Sequence, residues 1–155
     1  MLIYISFIKL QKKHMPKKIT VSTIVNIPLS QARSKRNTPA DIMIRNHASD
    51  DRHCPAASND LKIGGRLSAT MAAKDWSFSF DFGWEYIYIT DNSLIQYIMD
   101  WDDRRMVLVN FDAIDANSTE ITEVFDMENE NSEELQKAWR QAILDNFKKH
   151  VENSK

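Results

Sequence analysis

SEELQKAWRQAILDNFKKHVE, residues 132–152, is the stretch on which the fold turns. Within it Leu135, Trp139, Ile143, Phe147 and Val151 recur at four-residue spacing, with Ala138 and Ala142 beside them. The spacing predicts a helix with a broad apolar stripe on one side and polar faces elsewhere. Asn131 or Ser132 stands at the capping position, Glu133 and Glu134 occupy the positive first turn, and Lys148, Lys149 and His150 occupy the negative last turn. Glu133–Lys137 and Asp145–Lys149 are spaced as i,i+4 ion pairs in the better orientation. At 1.5 Å per residue the helix is about 30 Å long, the width of a small domain. Its apolar stripe therefore belongs to the core.

Immediately upstream, Thr119-Glu120-Ile121-Thr122-Glu123-Val124-Phe125 reads as a strand, entered through the turn Asp115-Ala116-Asn117. Residues 106–114 alternate through Val107, Val109, Phe111 and Ala113, and residues 94–99 form a shorter strand between turns at Asp91-Asn92 and Asp102-Asp103. The strongest β signal is Phe78, Phe80, Phe82, Trp84, Tyr86 and Tyr88 at period two, which loads one face with aromatics. Connections this short join antiparallel neighbours, because parallel crossovers need a dozen residues or more. Further back, residues 19–27 alternate as a first strand, with Val21, Thr23 and Val25 on one face. Two short helices follow, at about 28–36 and 39–45, the second opened by Thr38 as N-cap, Pro39 at the first helical position and Asp41 closing a capping box. Residues 46–60 read as loop, and Gly64-Gly65 marks a bulge or sharp bend in a strand that runs to about Ala73.

With 155 residues, 43% hydrophobic and 27% charged, the chain has the make-up of one soluble globular domain. A net charge of -2 offers no electrostatic case for nucleic acid or an anionic membrane as partner. The single cysteine, Cys54, cannot close an internal disulfide, and a reducing cytoplasm is the expected compartment. The first ten residues are apolar but too short to cross a bilayer, and Met15 follows among Lys12, Lys13, Lys17 and Lys18. We expect residues 1–14 to be an extension ahead of a single domain at 15–155.

The order strand, two short helices, meander and long terminal helix resembles the helix-grip fold of the START and pollen-allergen superfamily (SRPBCC). Within it the residues are similar to those of the family related to the activator of the 90-kDa heat-shock protein ATPase. The resemblance is carried by residues 19–25, Ala48-Ser49-Asp50-Asp51, His53-Cys54-Pro55, Asn59-Asp60-Leu61 with Gly64-Gly65, Phe80-Asp81-Phe82, and Glu123 through the run 142–147. It implies an α+β fold in which a curved antiparallel sheet wraps the last helix. The chain departs from the family pattern at Arg33, Arg36, Arg45 and Arg52, where the pattern has aromatics, and at Trp76, Trp84 and Trp101, where it tends to glycine. Arginines at apolar sites each need a partner or solvent, and tryptophan at a turn with φ > 0 is costly.

In a helix-grip fold, sheet curvature holds part of the aromatic strip away from the helix and leaves a hollow. The candidate ligand-binding residues are then Phe80, Phe82, Tyr86, Tyr97, Phe111, Glu123, Trp139 and Ile143, with the tyrosines supplying hydroxyls and the helix residues one wall. Glu123 shares strand parity with Ile121 and Phe125 and so faces inward. An inward carboxylate in an apolar cavity would bind a polar ligand head or have a raised pKa; the alternative is that it is hydrated or paired with a nearby arginine. His47, His53 and Cys54 lack the fourth ligand and regular spacing of structural zinc, so no metal site is expected. Three glycines, Gly64, Gly65 and Gly83, cannot build a phosphate-binding loop, and no cofactor or catalytic residue is expected. The expectation is a non-catalytic binder of a hydrophobic or amphipathic small molecule, monomeric or homodimeric. The alternatives are a chaperone-associated module or a cyclase-type enzyme, both implied by the resemblance alone.

Overall fold

The computed structural model describes residues 16–101 and 103–153. The expected extension at residues 1–14, and the part of the turn formed by Asp102, lie outside the described residues. The elements run β1 (Lys18–Val25), α1 (Leu29–Asn37), α2 (Pro39–Arg45), β2 (Arg52–Asn59), β3 (Arg66–Ala73), β4 (Ser79–Thr90), β5 (Leu94–Met99), β6 (Met106–Asp115), β7 (Ser118–Asp126) and α3 (Glu133–Asn153). The strands make one curled seven-stranded sheet in the order β1-β7-β6-β5-β4-β3-β2. All neighbours are antiparallel. Strands β3 to β7 form the expected meander, and β2 extends it at one edge. Strand β1 closes the far edge by pairing along β7, with Lys18 opposite Asp126 and Val25 opposite Thr119. With α3 held against the concave face, this is the α+β helix-grip arrangement.

Period-two alternation explains the core. Ile19, Val21 and Val25 of β1, Val107, Val109 and Phe111 of β6, and Ile121 and Phe125 of β7 are buried, while their neighbours in sequence point away. The alternation in β4 holds only to Tyr86. The register against β5 shifts between Tyr86 and Tyr88, and the extra residue reverses the parity. Tyr88 consequently turns outward, and Ile89 takes the inner position opposite buried Ile95.

Residues 52–59, expected as loop, form edge strand β2. Its small and polar composition hides the pattern because an edge strand need bury little. Pro55 has no N–H to give a ladder, and it sits where the register shifts between His53 and Ala56. Gly64 and Gly65 make the sharp bend into β3. Gly64 has φ +81°, and a Cβ on Gly65 would stand 2.1 Å from the Asp60 carbonyl oxygen.

The terminal helix begins as expected, with the Ser132 hydroxyl accepting the Leu135 N–H at 3.2 Å. Its buried side, however, is Gln136, Leu144, Phe147 and Val151, whereas Leu135 and Trp139 are 42% and 41% exposed. Each four-residue step overshoots a full turn by about 40°, so a strict series from Leu135 to Val151 winds off any single face. The expected ion pairs are also replaced. Glu133 meets Lys17 at 2.6 Å and Asp145 accepts from Gln141 at 2.9 Å, leaving Lys148–Glu152 as the i,i+4 pair. Thr38 and Pro39 take the N-cap and first helical positions of α2 as expected, but the Thr38 side chain makes no capping hydrogen bond. Its hydroxyl donates to the Ser34 carbonyl, satisfying the end of α1 instead, and Asp41 accepts from His150 of α3 at 2.6 Å.

Helix α3 packs along β1 and against α2. Buried Gln136 ties its first turns to the preceding loop: the side chain donates to the Asn131 and Glu128 carbonyls and accepts the Glu128 N–H. The helix is thereby anchored at the β1 side of the sheet, and the space over β3, β4 and β5 stays unfilled. Two of the questioned tryptophans behave differently. Trp76 occupies the β3–β4 turn with φ 62°, and Trp84 lies within β4 and is buried.

Candidate functional site

The unfilled space is a cavity of about 820 Å³ between sheet and helix. Met71, Phe80, Phe82, Trp84, Tyr97 and Met99 form its sheet wall, Trp139, Arg140 and Ile143 its helical wall, and Trp101 stands on the β5–β6 loop. Six of the expected residues therefore come together here: Phe80, Phe82, Tyr97, Glu123, Trp139 and Ile143. Tyr86 and Phe111 do not. Phe111 is fully packed between β5 and β7 in the core, and the Tyr86 hydroxyl donates to Asn59 Oδ1 at 2.8 Å. Burial pushes the Tyr86 phenol up, which keeps it a neutral donor.

The aromatic wall is ordered by cross-strand pairing. Tyr86 stands opposite Tyr97 and Trp84 opposite Met99. Trp84 stacks on Tyr97 with ring centroids 4.1 Å apart, and the Tyr86 ring meets Tyr97 edge-on at 6.1 Å. Phe80 and Trp101, with Trp139 across from them, carry much of their surface in solvent and so rim the opening.

At the other end is a cluster of buried charge. Arg36 follows fully buried Ala32 by four residues on the inner face of α1, and Arg45 ends α2 three residues after buried Ile42. Glu123 of β7, 3% exposed, accepts from Arg36 Nη2 at 2.7 Å and Nε at 3.3 Å, and Arg140 Nε lies 3.6 Å from its other oxygen. Burial alone would push the Glu123 carboxyl up; the charges of Arg36, Arg140 and Arg45 outweigh it and hold the group below the usual carboxylate range. The raised pKa is thus corrected, and the paired alternative is what the chain adopts. For Arg36 burial works downward, but Glu123 and its hydrogen bond carry the guanidinium above its ordinary value. Arg45 has no such partner. Burial, reinforced by the charge of Arg36, pulls it down to about 10.

Arg45 is 4% exposed, gives one hydrogen bond from Nη2 to the Arg36 carbonyl at 3.1 Å, and leaves Nε without one. The Tyr97 hydroxyl, fully buried, makes none. The two other questioned arginines lie away from this cluster. Arg52 places its guanidinium 4.4 Å over the Phe78 ring, and Arg33 is half-buried on α1. The inward-facing arginines were visible in the sequence as departures, but their convergence on Glu123 was not. Arg140 gave no signal beyond its place next to Trp139. For Arg36 the usable signal was its four-residue spacing from Ala32.

His47, His53 and Cys54 are spent separately, on Asn146, the Ala72 carbonyl and the Ala56 carbonyl. Among the described residues no group of three or more His, Cys, Asp or Glu is placed to hold a metal ion. Among the same residues no helix is long and apolar enough to cross a membrane.

A curled antiparallel sheet around a terminal helix, with a cavity between them, defines a helix-grip protein of the SRPBCC class. Neither a family model nor a curated protein matches the chain, but solved structures do. The AHSA1-like protein from Aeromonas hydrophila is 34% identical over 89% of this chain and 94% of its own, with a TM-score of 0.81. A protein from Cytophaga hutchinsonii is 44% identical over 88% of this chain and 93% of its own, with a TM-score of 0.74. The chain belongs to the AHSA1-like family. A protein from Chromobacterium violaceum, 14% identical over 86% of this chain and 96% of its own with a TM-score of 0.76, shares the fold.

Proposed function

We propose that this protein binds a hydrophobic or amphipathic small molecule, without chemical conversion, in the cavity between sheet and α3. The observation that carries the reading is the cavity itself. Its 820 Å³ lies within the range of about 300–1,000 Å³ typical of small-molecule pockets, and Leu135, Trp139 and Ile143 leave it open. Apolar walls supply affinity through buried area, and a few polar groups at one end supply orientation. Exposed Phe80, Trp101 and Trp139 belong to the rim of this opening, which accounts for them without a separate docking face. Glu123 is an unpromising acid or base: two guanidinium groups hold it ionised and hydrogen-bonded, the opposite of a carboxyl poised near neutral pH. Buried, unpaired Cys54 is in keeping with a cytoplasmic setting.

The test is a thermal-shift screen with fatty acids, lysolipids and planar aromatics, followed by titration of tryptophan fluorescence. A ligand at about a hundred times its Kd stabilises by about 2.7 kcal/mol, which for a domain of this size is a rise of about 5–10 °C in Tm. The variant Ile143→Trp, which projects a larger ring into the cavity, should abolish the shift while the variant itself stays folded. A panel in which no compound moves Tm, or in which Ile143→Trp responds like the wild type, refutes the reading.

A further inference from the structure

The closed end of the cavity is more specific than its walls. Arg36, Arg45 and Arg140 face it with one carboxylate, Glu123, between them. That carboxylate is committed to Arg36 and Arg140, so the positive charge of Arg45 is not met by any ion pair among the described residues. The remaining acids that line the cavity, Asp103, Glu128 and Glu130, lie on its loops, and Glu130 is exposed to solvent. Asp103 pairs with Arg105 at 2.8 Å, and Glu128 accepts the N–H groups of Glu130 and Asn131. Besides Trp84 Nε1 on the sheet wall, two buried donors of residues that line the cavity, Arg45 Nε and the Tyr97 hydroxyl, make no hydrogen bond. Buried donors left unsatisfied are costly, and buried charge more so, which makes such a pair the mark of a site built for an acceptor.

We infer that the occupant is an anionic amphiphile whose carboxylate lies at this closed end, accepting from Arg45 Nε and from the Tyr97 hydroxyl, with its apolar tail running along the aromatic wall towards Trp101 and Trp139. The inference rests on the cavity reading above and adds the class of ligand to it. Charge and hydrogen bonding then act in one direction. The carboxylate supplies the negative charge that balances Arg45, and a charge-assisted bond in a water-poor site is stronger than a neutral one. A cationic head at the same place would meet three guanidinium groups. A neutral alcohol could satisfy one donor and leave the charge unbalanced.

The experiment compares dodecanoate, dodecanol and dodecyltrimethylammonium, below their micellar concentrations, by titration of tryptophan fluorescence at neutral pH. Dodecanoate should bind at least about tenfold more tightly than dodecanol, the scale of a hydrogen bond to a charged group, and the cation should bind most weakly. Tyr97→Phe, which removes only the hydroxyl, should weaken dodecanoate about three- to tenfold and dodecanol by less. Arg45→Met should erase the preference for the anion. Equal affinity for dodecanoate and dodecanol, or a Tyr97→Phe variant that retains the full preference, overturns the carboxylate site while the cavity reading stands. Failure of every amphiphile and of the whole screening panel overturns the cavity reading, and this inference with it.

Discussion

Replacing Glu123 by Gln should unfold this protein more readily than any other single change of similar size. The substitution keeps volume and hydrogen-bonding capacity but deletes the one negative charge among Arg36, Arg45 and Arg140. Arg36 has 3% of its side chain exposed and bonds Glu123 through both Nη2 and Nε. Without the carboxylate its charge stays buried and unpaired. Breaking a buried ion pair in this way costs about 3–5 kcal/mol, set against a total stability of about 5–15 kcal/mol for a domain. In urea the midpoint should fall by about a fifth or more, followed by tryptophan fluorescence and by far-ultraviolet circular dichroism. The double variant Arg36→Met/Glu123→Leu should recover most of the loss, because an apolar pair needs no desolvation of charge.

Acid should act on the same group. The carboxyl has a lower pKa folded than its ordinary 4.5, so its contribution is fully present above that ordinary value. It is lost as pH falls through the lower folded value, where protonation breaks the pair. Wild type should therefore lose stability steeply below about pH 4, and Glu123→Gln should show a flatter profile there. A loss below about 1 kcal/mol for Glu123→Gln, the range of a surface pair, would refute the claim that this cluster is held together by buried charge.

Three further outcomes are expected. Arg45→Met should stabilise the unliganded protein by about 1–3 kcal/mol in urea titrations, because a buried charge without an ion pair is replaced by apolar volume. The folded chain holds the Arg45 proton less tightly than the unfolded one, so this penalty is present at neutral pH and fades as pH rises through about 10. Gly65→Ala should cost more than Gly64→Ala in the same assay. The Gly65 Cβ would collide with a backbone carbonyl, whereas at Gly64 only the left-handed backbone is penalised, by about 1 kcal/mol. Trp76→Gly should raise Tm by a few degrees, since φ 62° favours glycine and the ring's edge-on contact with His53 is made largely in solvent.

Those outcomes separate what could be read in the chain from what could not. Regular alternation and turn chemistry act over a few residues, and they made β1, β5, β6, β7 and both short helices legible. Strand β2 was missed for the opposite reason. Its stability comes from pairing with β3, and Ala56, Ala57 and Ser58 carry no hydrophobic period that would announce it. The outward turn of Tyr88 depends on a register shift set by the partner strand, which no local pattern records. The exposure of Leu135 and Trp139 could have been foreseen. A four-residue repeat is not the helical period, and the residues that do stay on one face, Leu144, Phe147 and Val151, follow spacings of three and four.

The site shows the same division between local and distant information. Phe80, Phe82, Tyr97, Trp139 and Ile143 reach the cavity because strand and helix parity place them there. Glu123 reaches it by parity as well, but its chemistry depends on three arginines from α1, α2 and α3 that approach it across as many as 87 residues of chain. Parity can say that a carboxylate points inward. Only the assembled fold says that it arrives already neutralised, that the excess charge is positive, and that Arg45 Nε and the Tyr97 hydroxyl are among the donors left free. The stability cost of Arg45 and the proposed carboxylate site are then one fact seen twice. A guanidinium that weakens the empty protein is the same group that strengthens the complex with an anion. If Arg45→Met gains stability and loses anion preference together, the cost belongs to binding. If stability is gained and the preference survives, the ligand's charge is read elsewhere in the cavity.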